Sequence, residues 1–164
     1  MSTSPTSWIE PILERYERPL IQYALSICSD SESARDVVQD TFVRLARNGA
    51  LDAGRLAPWL FTVCRNRAID WKRKHARLVV LEEDEPLHIP SDEPDPSARL
   101  EAKESAARLM KLLARLPEQQ REALRLRFQC DLSYREISEI MQLSESNVGF
   151  ILHTGIKTLR QLMT

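Results

Sequence analysis

Seven basic residues crowd one stretch of this 164-residue chain: Arg55, Arg65, Arg67, Lys72, Arg73, Lys74 and Arg77, against a single acid, Asp70. Cations near a helix C-terminus complement the helix dipole. Seven exceed what a terminal turn requires, so a surface that contacts phosphate fits better. Near the other end, Ser144, Glu145, Ser146, Asn147, Gly149 and Phe150 open an apolar-periodic segment. Asn and Ser can hydrogen-bond base edges, and Phe can meet a thymine methyl. Catalytic sets are missing by comparison: there is no Ser/His/Asp arrangement, no Gly-rich phosphate loop and no plausible carboxylate pair. Cys28, Cys64 and Cys130 are too far apart for a disulfide framework or a Cys-x-x-Cys pair and read as small buried hydrophobes. His75, His88 and His153 lack metal-ligand spacing. Neither a metal nor a cofactor is expected, and the chain reads as a non-enzyme.

The elements that would position these residues are helices. Gly is scarce (4 residues) and aromatics make up 6%, which disfavours a strand-rich fold. Trp8, Ile9, Ile12, Leu13, Tyr16, Leu20, Tyr23, Ala24 and Ile27 mark one buried helical face, which Pro19 should kink or divide. Asp30 or Ser31 can cap a second helix with the stripe Ala34, Val37, Val38, Thr41, Phe42 and Leu45, ended by Asn48-Gly49. A third helix is predicted from Leu56 or Ala57, with Pro58 in its first turn, and it carries the basic run. Residues 97–116 show Leu100, Ala107, Met110, Leu113 and Leu116 at helical steps. Pro117 suits the first position of the next helix, and Leu124, Leu126 and Phe128 follow. Ser133-Tyr134-Arg135-Glu136 is a capping box, before an inner face of Tyr134, Ile137, Ile140 and Met141. Ser144 can cap a last helix with the stripe Val148, Ile151, Leu152, Ile156, Leu159 and Leu162. A short capped helix, a tight turn and a longer capped helix form a helix-turn-helix pattern.

The net charge of −1 hides an asymmetry. Between Glu82 and Asp95 stand seven acids and no Lys or Arg, together with Pro86, Pro90 and Pro94, and Pro96 follows. Charge repulsion and prolines oppose a packed element there. The expected organisation is all-α: an N-terminal helical domain over 1–77, a flexible acidic linker over 78–96 and a C-terminal helix-turn-helix domain over 97–164. No stretch reaches about 18 consecutive apolar residues, and Met1–Thr6 shows no secretory pattern. A cytoplasmic protein without membrane insertion is expected.

Three runs carry a resemblance to a known family. Ala34 through Leu45 (Ala-Arg-Asp-Val-Val-Gln-Asp-Thr-Phe-Val-Arg-Leu) resembles the polymerase-docking helix of bacterial sigma factors of the extracytoplasmic-function (ECF) class. Pro58 through Asp70, followed by the basic run, resembles the segment that binds and opens the minus-ten promoter element. Leu116-Pro117 through Leu159-Arg160 resembles the helix-turn-helix domain that reads the minus-thirty-five element. The resemblance implies a factor that binds core RNA polymerase, directs it to promoter DNA and helps open it. It also implies an anti-sigma partner and a monomer when free. On this reading Asp36, Gln39 and Asp40, clustered beside the apolar stripe, bind polymerase. Arg65, Asn66, Arg67, Asp70, Lys72, Arg73 and Lys74 serve the minus-ten region, where opened strands offer base edges to Asn66, Asp70 and the loop 51–56. Ser144, Ser146, Asn147, Phe150 and His153 serve the minus-thirty-five region. Trp59 reads more as core than as a stacking platform, whereas Trp71 and His75 fit either role.

The last helix departs from the family pattern. Gly149, Ile151, Thr154 and Ile156 occupy positions where many relatives carry Lys or Arg, which predicts fewer phosphate contacts and weaker binding. Gln142 stands where a turn glycine is common, and a non-Gly residue at positive φ costs about 1 kcal/mol. The alternative reading is a stand-alone helix-turn-helix regulator, which usually dimerises on a palindrome; no spare dimerisation helix is evident. A two-domain adaptor that binds no DNA leaves the basic block unexplained.

Overall fold

The computed structural model describes residues 7–76 and 96–164. The acidic segment falls outside these residues except for Pro96, which opens a helix instead of closing a linker. Among the described residues the elements are α1 (Glu10–Cys28), α2 (Ser31–Asn48), α3 (Ala53–His75), α4 (Pro96–Ala114), α5 (Glu118–Leu124), a π-helical turn (Arg125–Gln129), α6 (Tyr134–Met141) and α7 (Glu145–Met163), with no strand.

The first three helices pack on one another. Pro19 removes a backbone donor inside α1 but does not divide it. Asp30 caps α2: its carboxylate accepts from the Ser33 amide at 3.1 Å and from the Ser33 hydroxyl. The hydroxyl bond, with the amide bonds behind it, holds this carboxylate below its ordinary range. The cap therefore contributes fully above about pH 4 and fades as pH falls through the lowered folded-state value. Every residue of the expected α2 stripe is buried, and the Thr41 hydroxyl is satisfied by the Val37 carbonyl at 2.8 Å. Helix α3 starts at Ala53, earlier than the Leu56 expected from sequence. The Asp52 carbonyl accepts from both Arg55 and Leu56 amides (2.9 and 3.1 Å), and this tight first turn pushes Pro58 into the second.

The C-terminal helices form a second layer. The capping box on α6 is complete: the Glu136 amide donates to Ser133 Oγ (3.1 Å) and the Ser133 amide donates to Glu136 Oε1 (2.9 Å). Ser144 caps α7 by accepting from the Asn147 amide at 3.0 Å. Between them Gln142 adopts φ 57°, and the Leu143 amide closes the turn on the Ser138 carbonyl at 3.0 Å. Gly155 lets α7 lie close to α5, since a Cβ there would stand 3.1 Å from Leu124 Cδ1.

Three expectations fail here. Pro117 caps α5 from outside instead of opening it. On α4 only Leu113 is buried from the predicted stripe within the helix, with Leu116 buried just beyond it; Leu100 and Met110 are exposed and so is Ala107. Helical periodicity marks an apolar face but not a neighbour to cover it, and α4 meets chiefly α7. Phe128, at 66% exposure, and Tyr134, at 45%, also face outward. Phe128 lies within the π turn, whose buried residue is Leu126.

Candidate polymerase and promoter interfaces

Helix α2 buries its apolar stripe and leaves Asp36 and Gln39 exposed on the opposite side, with Asp40 half-buried between α2 and α3. Asp40 Oδ2 stands 3.0 Å from Arg44 Nε and 2.8 Å from Arg67 Nε. The acidic face of α2 and the basic face of α3 thus share an ion-pair cluster. Val43, 47% exposed, completes the α2 face beside Gln39 and Asp40. Its place off the buried stripe is the one signal of it in the sequence.

The seven minus-ten candidates divide. Asn66, Lys72, Arg73 and Lys74 are exposed, Arg67 and Asp70 half-buried. Asp70 pairs with Lys74 at 3.3 Å, one turn on. Arg65 turns inward: its Nε donates to Glu122 Oε1 at 2.7 Å. Trp71 stacks on His75 with ring centroids 4.5 Å apart, and His75 Nδ1 lies 2.8 Å from the Trp71 carbonyl. Trp59 is half-buried and lines a groove of about 1160 Å³ with Asn48, Leu51, Asp52 and Arg55. Arg135, Glu136 and Glu139 of α6 form the facing wall.

At the start of α7, Ser144, Ser146, Asn147, Phe150 and His153 are all exposed, Phe150 at 68%. The capping bond uses the Asn147 amide and leaves its side chain to the outside. Tyr134 of α6 lies against Gly149, a Cβ of which would meet the ring at 3.6 Å, and Arg127 covers that ring at 5.4 Å. Farther along, His153, Lys157 and Arg160 line one shallow groove. Of the positions lacking the family's cations, Ile151 is buried.

All three cysteines are free and buried. Burial pushes the Cys28 thiol up to about 11 and those of Cys64 and Cys130 up to about 12. Burial, reinforced by Glu122, holds the Tyr23 phenol neutral well above its ordinary range. Among the described residues no cluster of His, Cys, Asp or Glu is arranged to hold a metal, and no helix is long and apolar enough to cross a membrane.

Two family models match the chain. The model described as Sigma-70 region 2 matches residues 12–78, and that described as Sigma-70, region 4 matches residues 106–159. The ECF RNA polymerase sigma factor SigM of Bacillus subtilis is 33% identical over 156 residues, 94% of each chain. The chain belongs to the ECF RNA polymerase sigma factors. The ECF sigma factor RpoE of Cereibacter sphaeroides is 31% identical, over 85% of this chain and 75% of that one. A solved structure of CnrH in complex with the cytosolic domain of CnrY superposes with a TM-score of 0.65 at 25% identity, covering 93% of this chain and 85% of CnrH. As an ECF sigma factor, the protein directs RNA polymerase to promoters in transcription initiation.

Proposed function

We propose that the sigma factor divides its work between residues 1–77, which bind core polymerase and the minus-ten element, and residues 96–164, which read the minus-thirty-five element, with 78–95 as the connection. The observation that carries this reading is the capped start of α7, which presents Ser146, Asn147 and Phe150 together and unburied. An exposed, pre-organised helix start is what major-groove readout requires. The exposed Asn66, Lys72, Arg73 and Lys74 supply the sequence-independent attraction to the backbone. The protein works without catalysing a reaction of its own, in the cytoplasm, with polymerase and promoter DNA as partners. The CnrH complex supports an anti-sigma regulator as a further partner. Run-off transcription with core polymerase on genomic fragments tests the whole reading: promoter-specific transcripts appear only when this protein is added.

Two substitutions test the individual faces. Asp36→Lys, at an exposed position outside the Asp40 ion-pair cluster, weakens core binding in a titration of labelled protein and leaves the melting curve unchanged. Asn147→Ala costs about 1–3 kcal/mol at one base pair of the minus-thirty-five element and relaxes the preference there. Equal loss on every promoter variant would instead make Asn147 a positioning residue.

A further inference from the structure

One carboxylate ties the two helical layers together. Glu122 of α5 accepts on a single oxygen, Oε1, from Tyr23 Oη of α1 at 2.6 Å and from Arg65 Nε of α3 at 2.7 Å. The three groups are well shielded: Tyr23 is fully buried, and the Glu122 and Arg65 side chains are 17% and 28% exposed. Around this contact α6 packs on α3 and the π turn packs on α1, with Cys130 Sγ 3.9 Å from the Pro19 carbonyl. The same packing sets α6 across the groove from Leu51, Asp52, Arg55 and Trp59.

This closed arrangement is incompatible with simultaneous engagement of both promoter elements. Sites about 25 base pairs apart on a duplex are separated by roughly 85 Å at 3.4 Å per step. A compact chain of this length has a radius of gyration of about 15 Å. The two layers must separate, and Arg65 must leave Glu122 before it can face phosphate.

We propose that Glu122 is an autoinhibitory latch, holding the C-terminal layer against the N-terminal layer in the free protein and sequestering Arg65 until polymerase and promoter pull the layers apart. The inference rests on the division of roles proposed above. Shielded hydrogen bonds to a charged group are the stronger kind, and two of them converge here, so losing Glu122 shifts the population towards the open form. A protein whose competent state is a minor fraction binds its partner more weakly by that fraction. Weakening the latch therefore tightens binding to polymerase, whereas damage to a binding face would weaken it.

Cys130 reports the opening. Burial in the closed form leaves little thiolate, and opening returns the thiol towards its ordinary range. The experiment follows alkylation of Cys130 by N-ethylmaleimide, mapped by peptide mass spectrometry in the full chain, alongside titration with core polymerase. Glu122→Ala is expected to label Cys130 about tenfold faster than wild type and to bind core more tightly, with helicity by circular dichroism unchanged. Tyr23→Phe keeps the ring packing and deletes one of the two bonds; it shifts both readouts in the same direction by a smaller factor and decides the matter if Glu122→Ala loses helicity. Wild-type labelling and core affinity in a folded variant would overturn the latch. Failure of the sigma-factor roles looks different: wild-type protein yields no promoter-specific transcript with core polymerase, which removes the gating even where the variants label faster.

Discussion

Phe61→Ala is expected to destabilise the protein by about 3–5 kcal/mol, the range for truncating a fully buried aromatic side chain. Phe61 is completely buried on α3, and its ring meets Tyr23 of α1 at 5.6 Å between centroids, tilted by 47°. The substitution removes the transfer free energy of the ring, opens a cavity between α1 and α3, and forfeits an aromatic pair worth about 0.5–1.5 kcal/mol beyond its area. A domain of this size has a total stability of about 5–15 kcal/mol, so the loss is a large share of it. Because Tyr23 also donates to Glu122, freeing its ring loosens the interlayer contact as well. Urea denaturation measures the effect: the midpoint falls while the slope stays near the wild-type value. A loss below about 1 kcal/mol would mean that α1 and α3 collapse onto the vacated space.

Local rules carried part of this architecture legibly. On α2 the Asp30 cap, the six-residue stripe and the Asn48-Gly49 stop all agree with the structure, since each acts within one or two turns. The Ser133–Glu136 box is legible for the same reason. Non-local features are not. The apolar steps on α4 give no hint that Leu100 and Met110 stay exposed, and no sequence signal announces the π turn that contains the exposed Phe128. Among the site residues, the exposed start of α7 follows from its cap. Arg65 does not follow, because its partner lies 57 residues away and only the packing of the two layers brings them together. Composition assigned Arg65 to the same basic run as Lys72, Arg73 and Lys74, whereas the fold separates it from them.

Ile137→Ala is expected to cost about 2–5 kcal/mol and to abolish minus-thirty-five discrimination before it abolishes non-specific attraction to DNA. Helix α6 has only eight residues, far below the length at which an isolated helix is stable. It persists through the capping box and the burial of Ile137 and Ile140, both essentially inaccessible to water. Removing half of that apolar face withdraws α6 from α7, and with it the Tyr134 ring that lies against Gly149. The start of α7 then loses the support that orients Ser146, Asn147 and Phe150. Lys72, Arg73 and Lys74 sit on α3, exposed and independent of α6 for their charge, so attraction to phosphate persists with its salt dependence. Competition between promoter and random duplex, measured with holoenzyme at two salt concentrations, separates the two effects. The promoter-to-random ratio collapses while affinity for random duplex changes little. Ile137→Val, at about 0.5–1.5 kcal/mol, retains most of the ratio; a proportional fall in both affinities for Ile137→Ala would place the effect on global folding instead of on α7.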